Sequence, residues 1–215
     1  MSYAVRMLRR LVAYELAMWH SLYRWVFRRP LRLEPGAREF SYIGVVKPIL
    51  WAFIVLSAVE IPIFDLILRH VLPWEGLRRT VLVLGVYGLL WMIGLMAMLR
   101  MHPHVAEKAG LRVRNGATLE FQVPWDAVES VRARYRSLPS SRAVHLEQAD
   151  SGTVLSIGTG RQTSVDLVLR EPLAIDLPAG RTENVSEIRL YADEPDALAE
   201  LTRRHAGTPD PAGQH

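Results

Sequence analysis

Glu60 is the residue whose type and position ask most of the chemistry. It sits in AVEIPIFD (58–65), inside the apolar run YIGVVKPILWAFIVLSAVEIPIFDLIL (42–68). A carboxylate in hydrocarbon is costly, so such residues mark ion or proton pathways by default. The competing role is a protonated or hydrogen-bonded carboxyl that pins one helix to the next. Folding the run back on TVLVLGVYGLLWMIGLMAML (80–99) sets Glu60 opposite Tyr87 and Gly88. The Tyr87 hydroxyl then serves as partner and Gly88 makes room. Two helices enclose no ion path without oligomerising, so pinning is the favoured role.

Arginines form the second constellation. Side chains alternate along a strand, so Arg112 and Arg114 share a face in GLRVRNG, as do Arg132, Arg134 and Arg136 in VESVRARYRS. All five are expected on one sheet surface, as a basic face for anionic lipid or a partner. The alternative is an internal ladder through Glu120 on the intervening strand. His102 and His104 have metal-site spacing, but no carboxylate is near and no metal site is read. An interfacial or hinge role suits a pair that directly follows an apolar helix. GTGRQTS (158–164) resembles a phosphate loop only in part: it lacks the Gly-Lys-Ser/Thr end and no helix follows, so it reads as a hairpin turn. No nucleophilic triad or dinucleotide fingerprint stands out, so the reading is non-enzymatic and without a cofactor. The chain has no cysteine, which removes disulfides, thiolate catalysis and cysteine-based clusters.

The elements that must position these residues begin with the two apolar runs. About 20 residues cross a bilayer's hydrocarbon core. Residues 41–101 are expected to form a transmembrane hairpin with spans near 43–70 and 79–100. Lys47 and Asp65 snorkel, and Gly85, Gly88 and Gly94 allow close packing. Arg28, Arg29, Arg32, Arg38 and Lys47 precede the hairpin; Arg100, Lys108, Arg112 and Arg114 follow it. They outweigh Arg69, Arg78 and Arg79 of the link, which places both termini in the cytoplasm and residues 71–78 outside, in a multi-pass cell-membrane protein.

Residues 1–40 hold an amphipathic helix and a linker. Leu8, Leu11, Val12, Trp19, Leu22, Tyr23 and Val26 share one face, with Glu15 as an exception. Arg6, Arg9, Arg10, His20, Arg24 and Arg28 share the other. Such a helix is expected in the membrane interface, with Arg6, Arg9, Arg10, Trp19, Arg24 and Trp25 against lipid. Nucleic acid is a poor partner for a segment so near an anchor.

From residue 102 to 207 the pattern alternates in about seven short strands. They span 110–116, 118–125, 128–137, 143–148, 153–158, 165–171 and 186–193. Asn115-Gly116 and Asp150-Ser-Gly152 mark two hairpin turns. EPDALAELTRRHAG reads as a final helix, with Asp193 as cap, Pro195 in the first turn and Gly207 as stop. Residues 208–215 read as a disordered tail.

HPHVAEKAGLRVRNG followed by VPWDAVESV resembles bacterial pleckstrin-homology-like (PH-like) domains on membrane proteins. VDLVLREPLAIDLP and YADEPDAL extend the similarity to uncharacterised two-helix membrane proteins of actinobacteria. The resemblance covers most of the chain and implies fold and location, with no reaction. The lysine-rich first loop of eukaryotic PH domains is missing, so phosphoinositide recognition is not carried over. The expected architecture is an α+β membrane protein: interfacial helix, transmembrane hairpin, cytoplasmic PH-like antiparallel β domain and C-terminal helix. The expected function is binding or scaffolding at the cytoplasmic face, with membrane lipids, a protein partner or a homo-oligomer as partners. The alternative is an oligomeric transport or channel component that uses Glu60.

Overall fold

A computed structural model describes residues 3–29, 33–71, 74–149, 152–177 and 180–207. The tail at 208–215 lies outside the described residues. The fold is α+β, with four helices and nine strands among the described residues. The chain divides into two compact units: residues 1–30 with 46–101, and residues 31–45 with 102–215. The second unit therefore takes in a segment that the sequence reading joined to the N-terminal helix.

The first unit is helical. It contains α1 (Tyr3–Val26), α2 (Lys47–Val71) and α3 (Glu75–Arg100). Helices α2 and α3 are long and apolar enough to cross a membrane. Helix α2 continues through Pro62, although proline removes one backbone bond. Most apolar side chains of α2 and of the first half of α3 are exposed, among them Ile49, Phe53, Val59, Phe64, Leu82 and Val83. That is the reverse of a water-soluble helix pair, which hides such a stripe. Two glycines set helix spacing. A Cβ on Gly85 would meet Ile61 Cγ1 at 3.2 Å, and one on Gly94 would meet Met18 Cγ at 3.1 Å. Gly88 differs: a Cβ there meets nothing within 4 Å. It opens space rather than permitting contact.

The second unit holds two sheets and a helix. β1 (Arg38–Phe40), β2 (His104–Ala106), β3 (Gly110–Asn115) and β4 (Leu119–Pro124) pair in that order. A single turn of 3-10 helix at Trp125–Ala127 then redirects the chain. β5 (Val128–Ser137), β6 (Val144–Ala149), β7 (Gly152–Ile157), β8 (Gln162–Leu177) and β9 (Gly180–Leu190) form the second sheet, in order β5-β8-β9-β7-β6. Neither sheet closes into a barrel. Leu111 and Val113 of β3, Leu119 and Val123 of β4, Val165 and Leu167 of β8, and Ile188 and Leu190 of β9 all point into one core. Helix α4 (Pro195–Ala206) adds Leu198 and Ala199 to that core. Trp125 stacks on His205 at 5.0 Å and donates its indole N–H to the Glu107 carbonyl. Its polar end is thus satisfied while its rings are buried.

Several expectations change here. The seven predicted strands correspond to β3–β9; β1 and β2 are additional. The domain is not purely antiparallel, because β7 and β9 pair in parallel. GTGRQTS makes a tight turn with Gly160 and Arg161 at positive φ. Thr159 and Gln162 exchange both backbone bonds across it, so the hairpin turn read from the sequence is present, although β7 and β8 beyond it are not neighbours. Asp193 does not cap α4. Glu194 occupies the cap position without a side-chain bond to the helix end, while Asp193 Oδ1 accepts the Gly44 amide at 2.8 Å. Gly207 ends α4 in the left-handed conformation.

Candidate functional site

In the helical unit the polar groups are distributed differently from the sequence reading. Tyr87 does not reach Glu60: its hydroxyl donates to Glu15 of α1. Trp19 joins this contact, with its ring 6.0 Å from that of Tyr87 and its indole N–H 3.4 Å from Glu15 Oε1. Glu15, the exception on the apolar stripe, therefore belongs to the buried face of α1. Met18 and Ser21 are the most deeply packed residues of that face, while Val5, Leu8, Val12, Tyr23 and Val26 stay exposed. The contacts advance together along both helices, Glu15 with Tyr87 and then Met18 with Gly94. Helix α1 thus runs alongside α3 in the same direction rather than crossing it at one point. Arg9 and Arg10 are exposed; Trp19, Arg24 and Trp25 are half-buried. The side chain of Arg6 is not among those described.

The carboxylate that joins α2 to α3 is Asp65. Its Oδ2 accepts from Arg69 Nε at 2.9 Å and Nη2 at 2.7 Å. Its Oδ1 lies 3.8 Å from Arg78 Nε on α3. Glu60, five residues earlier, lines a groove of about 460 Å³ between the two helices, with Gly85 and Gly88 across from it and Asp65 and Arg78 at one end.

In the β unit the five arginines do not share a surface, because the turn at Trp125–Ala127 moves β5 into the other sheet. Arg112 binds Glu107 at 2.8 Å and Glu120 at 3.3 Å. Arg114, opposite Glu120 in register, binds it at 3.2 Å and is buried. The ladder through Glu120 is thus the arrangement found on the first sheet. On the second sheet Arg136 pairs with Asp166 at 2.9 Å, and Arg189 and Glu187 extend that pair. Arg132 and Arg134 are exposed and make no ion pair among the described residues. Beside them Tyr135 is 65% exposed, so this stretch offers two cations and an aromatic ring to the outside.

Burial pushes the Tyr191 hydroxyl above its usual 10, and the Asp193 carboxylate and then Tyr135 add to the shift. The Tyr191 backbone holds His104, which is fully buried. Its Nε2 donates to the Tyr191 carbonyl at 3.0 Å, and its Nδ1 accepts the Arg114 amide at 3.1 Å. Its ring lies 4.9 Å from that of Tyr42, whose hydroxyl accepts the Gly116 amide. Among the described residues no three His, Asp or Glu side chains are grouped as metal ligands.

No family model, curated protein or solved structure matches the chain.

Proposed function

We propose that this chain is a membrane-anchored binding or scaffolding protein. Helices α2 and α3 cross the bilayer as a hairpin, and the β unit, PH-like in having two sheets and a helix after the last strand, works at the cytoplasmic face. The parallel β7–β9 pair is a departure from the antiparallel order expected of that fold. At about 1.5 Å per residue, the 25 residues of α2 and 26 of α3 are each long enough to span. Helix α1 leans into the bilayer beside α3, because Glu15 meets Tyr87, which lies about 20 Å along α3 from Arg100. The contact with Tyr87 favours this placement over the flat interfacial one expected from the sequence.

The observation that carries the binding role is the patch of Arg132, Arg134 and Tyr135. Each arginine near an anionic surface contributes about 1 kcal/mol, which is weak for a free protein. For a domain already tethered to the surface, effective concentration makes such a patch sufficient. A dye on Tyr135→Cys, the chain's one cysteine, tests this in proteoliposomes. Its emission should shift to the blue when phosphatidylglycerol is added to phosphatidylcholine. Raising salt to about 1 M shortens the screening length to about 3 Å and should reverse the shift, as should R132Q/R134Q. A dye indifferent to anionic lipid ends the lipid reading and moves the patch to a protein partner.

The placement has its own check. Trp74→Cys should react with an impermeant maleimide only from outside the cell, and Lys108→Cys only from inside. Equal labelling of both from one side would end the hairpin topology.

A second reading, an oligomeric transport component, is favoured by one observation. Glu60 faces the groove and has no hydrogen-bond or ion-pair partner among the described residues. Flux in liposomes that Glu60→Gln abolishes would establish it; an absence of flux in the unaltered protein would remove it.

A further inference from the structure

Helix α1 ends in an unusual way. Arg28 has φ of +48°, in the left-handed region. Its amide bonds the Trp25 carbonyl at 3.2 Å, and the Arg29 amide bonds the Arg24 carbonyl at 2.8 Å. This pair of bonds is the Schellman motif, in which glycine is the usual left-handed residue because any Cβ is strained there. An arginine held in that place turns the chain so that consecutive arginines face back along the helix end. Arg24, Arg28, Arg29 and Arg100 line one cleft of about 510 Å³, with Trp25 and Met101 as apolar wall. Among the described residues no carboxylate lines it.

Four guanidinium groups around one space repel each other unless something neutralises them. Two helices, α1 and α3, end here, and each C-terminus carries roughly half a negative charge. Together they offset about one cation. The Arg29 guanidinium lies 5.3 Å from the Tyr23 ring, which adds a weak cation–π attraction but no anion. Arg28, Arg29 and Arg100, counted without Arg24, then leave a surplus close to two positive charges, in a cleft with a partly apolar wall at the end of the apolar helix α3.

We propose that this cleft binds the headgroup of an anionic phospholipid that carries two phosphate groups, with its acyl chains along α1 and α3. Guanidinium groups match phosphate oxygens in bidentate pairs, and the apolar wall suits a lipid better than a free ion. The inference rests on the membrane placement proposed above and is independent of the patch at Tyr135.

The test uses the full chain purified in detergent, with retained lipid counted by native mass spectrometry. Cardiolipin, with two phosphates, should be retained over phosphatidylglycerol, with one, and over zwitterionic phosphatidylcholine. R28Q/R29Q should weaken cardiolipin retention on the order of thirtyfold. R28K/R29K, which keeps the charge and loses the fork, should fall between. R142Q/R170Q removes as much charge from exposed positions of the β unit and should change nothing. Equal loss from R142Q/R170Q, or none from R28Q/R29Q, overturns the site. Displacement of cardiolipin by inorganic pyrophosphate at equal concentration overturns a lipid in favour of a soluble anion. Labelling of Trp74→Cys and Lys108→Cys from one side would remove the membrane placement itself, an outcome these retention measurements do not touch.

Discussion

Asp65→Asn destabilises the helical hairpin by about 2–3 kcal/mol, while Glu60→Gln moves it by less than about 1 kcal/mol. Breaking a buried ion pair by removing one partner costs roughly 3–5 kcal/mol, since the other charge is left uncompensated. The Arg78 side chain is 25% exposed and that of Asp65 11%, so the lower end of that range, further reduced by screening, applies. Arg69 is more than half exposed and loses little when its partner goes. Among the described residues Glu60 has no bonded partner to lose, and Gln keeps its shape. Reversible unfolding in mixed dodecyl maltoside and dodecyl sulfate micelles, followed by tryptophan fluorescence, measures both. An unchanged midpoint for Asp65→Asn, or a larger shift for Glu60→Gln, would return the pinning role to Glu60.

His104 makes the β unit's stability depend on pH between about 6.5 and 4. Burial, with a smaller contribution from Arg114, lowers its pKa from 6.5 to about 4, against the opposing pull of the Tyr191 carbonyl and Asp193. The folded pKa lies below the unfolded one. Above pH 6.5 the ring is neutral in both states and its contribution is fully present. As pH falls below 6.5 the unfolded chain takes up the proton first, and stability declines until the folded form also protonates near pH 4. The difference of about 2.5 units corresponds to roughly 3 kcal/mol. Urea unfolding of the full chain at several pH values should show the decline, and His104→Asn should flatten it. A variant whose pH dependence matches the original protein would show that His104 is not the titrating group.

The sequence carried much of the local order and little of the long-range pairing. Alternation of Leu111 with Val113 and of Leu119 with Val123 made β3 and β4 legible, and Asn115-Gly116 marked the turn between them. β1 and β2 have three residues each, too few for any period to register. The parallel β7–β9 pair leaves no local signal, because it depends on which distant strand lies alongside. Arginine alternation gave the face of each strand but not the sheet to which the strand belongs; the bend after Pro124 decided that. Asp193 had the residue type and spacing of a cap, and a backbone amide 149 residues away took it instead. At Glu15 the signal was present. A carboxylate that interrupts an apolar stripe marked the residue that Tyr87 holds, and within that stripe Leu8, Leu11, Val12, Tyr23 and Val26 proved exposed while Trp19 and Leu22 are half-buried.

The β unit is built from two stretches of chain with the α2–α3 hairpin inserted between them, and this has a consequence in time. Phe40 pairs with His104, Tyr42 accepts from Gly116 and Gly44 bonds to Asp193. Residues 38–44 leave the ribosome long before any of these partners exists. At about 5–20 residues per second, the 149 residues separating Gly44 from Asp193 take roughly 7–30 s to make. Phe40 and Tyr42, both buried in the finished unit, wait a shorter time, until His104 and Gly116 are made. If α2 and α3 cross a bilayer as proposed, they must bring residues 45 and 102 out on the same side, or β1 can never meet β2. On that reading the folded β unit checks insertion: a chain that enters with only one helix is left with an open sheet edge and an exposed core.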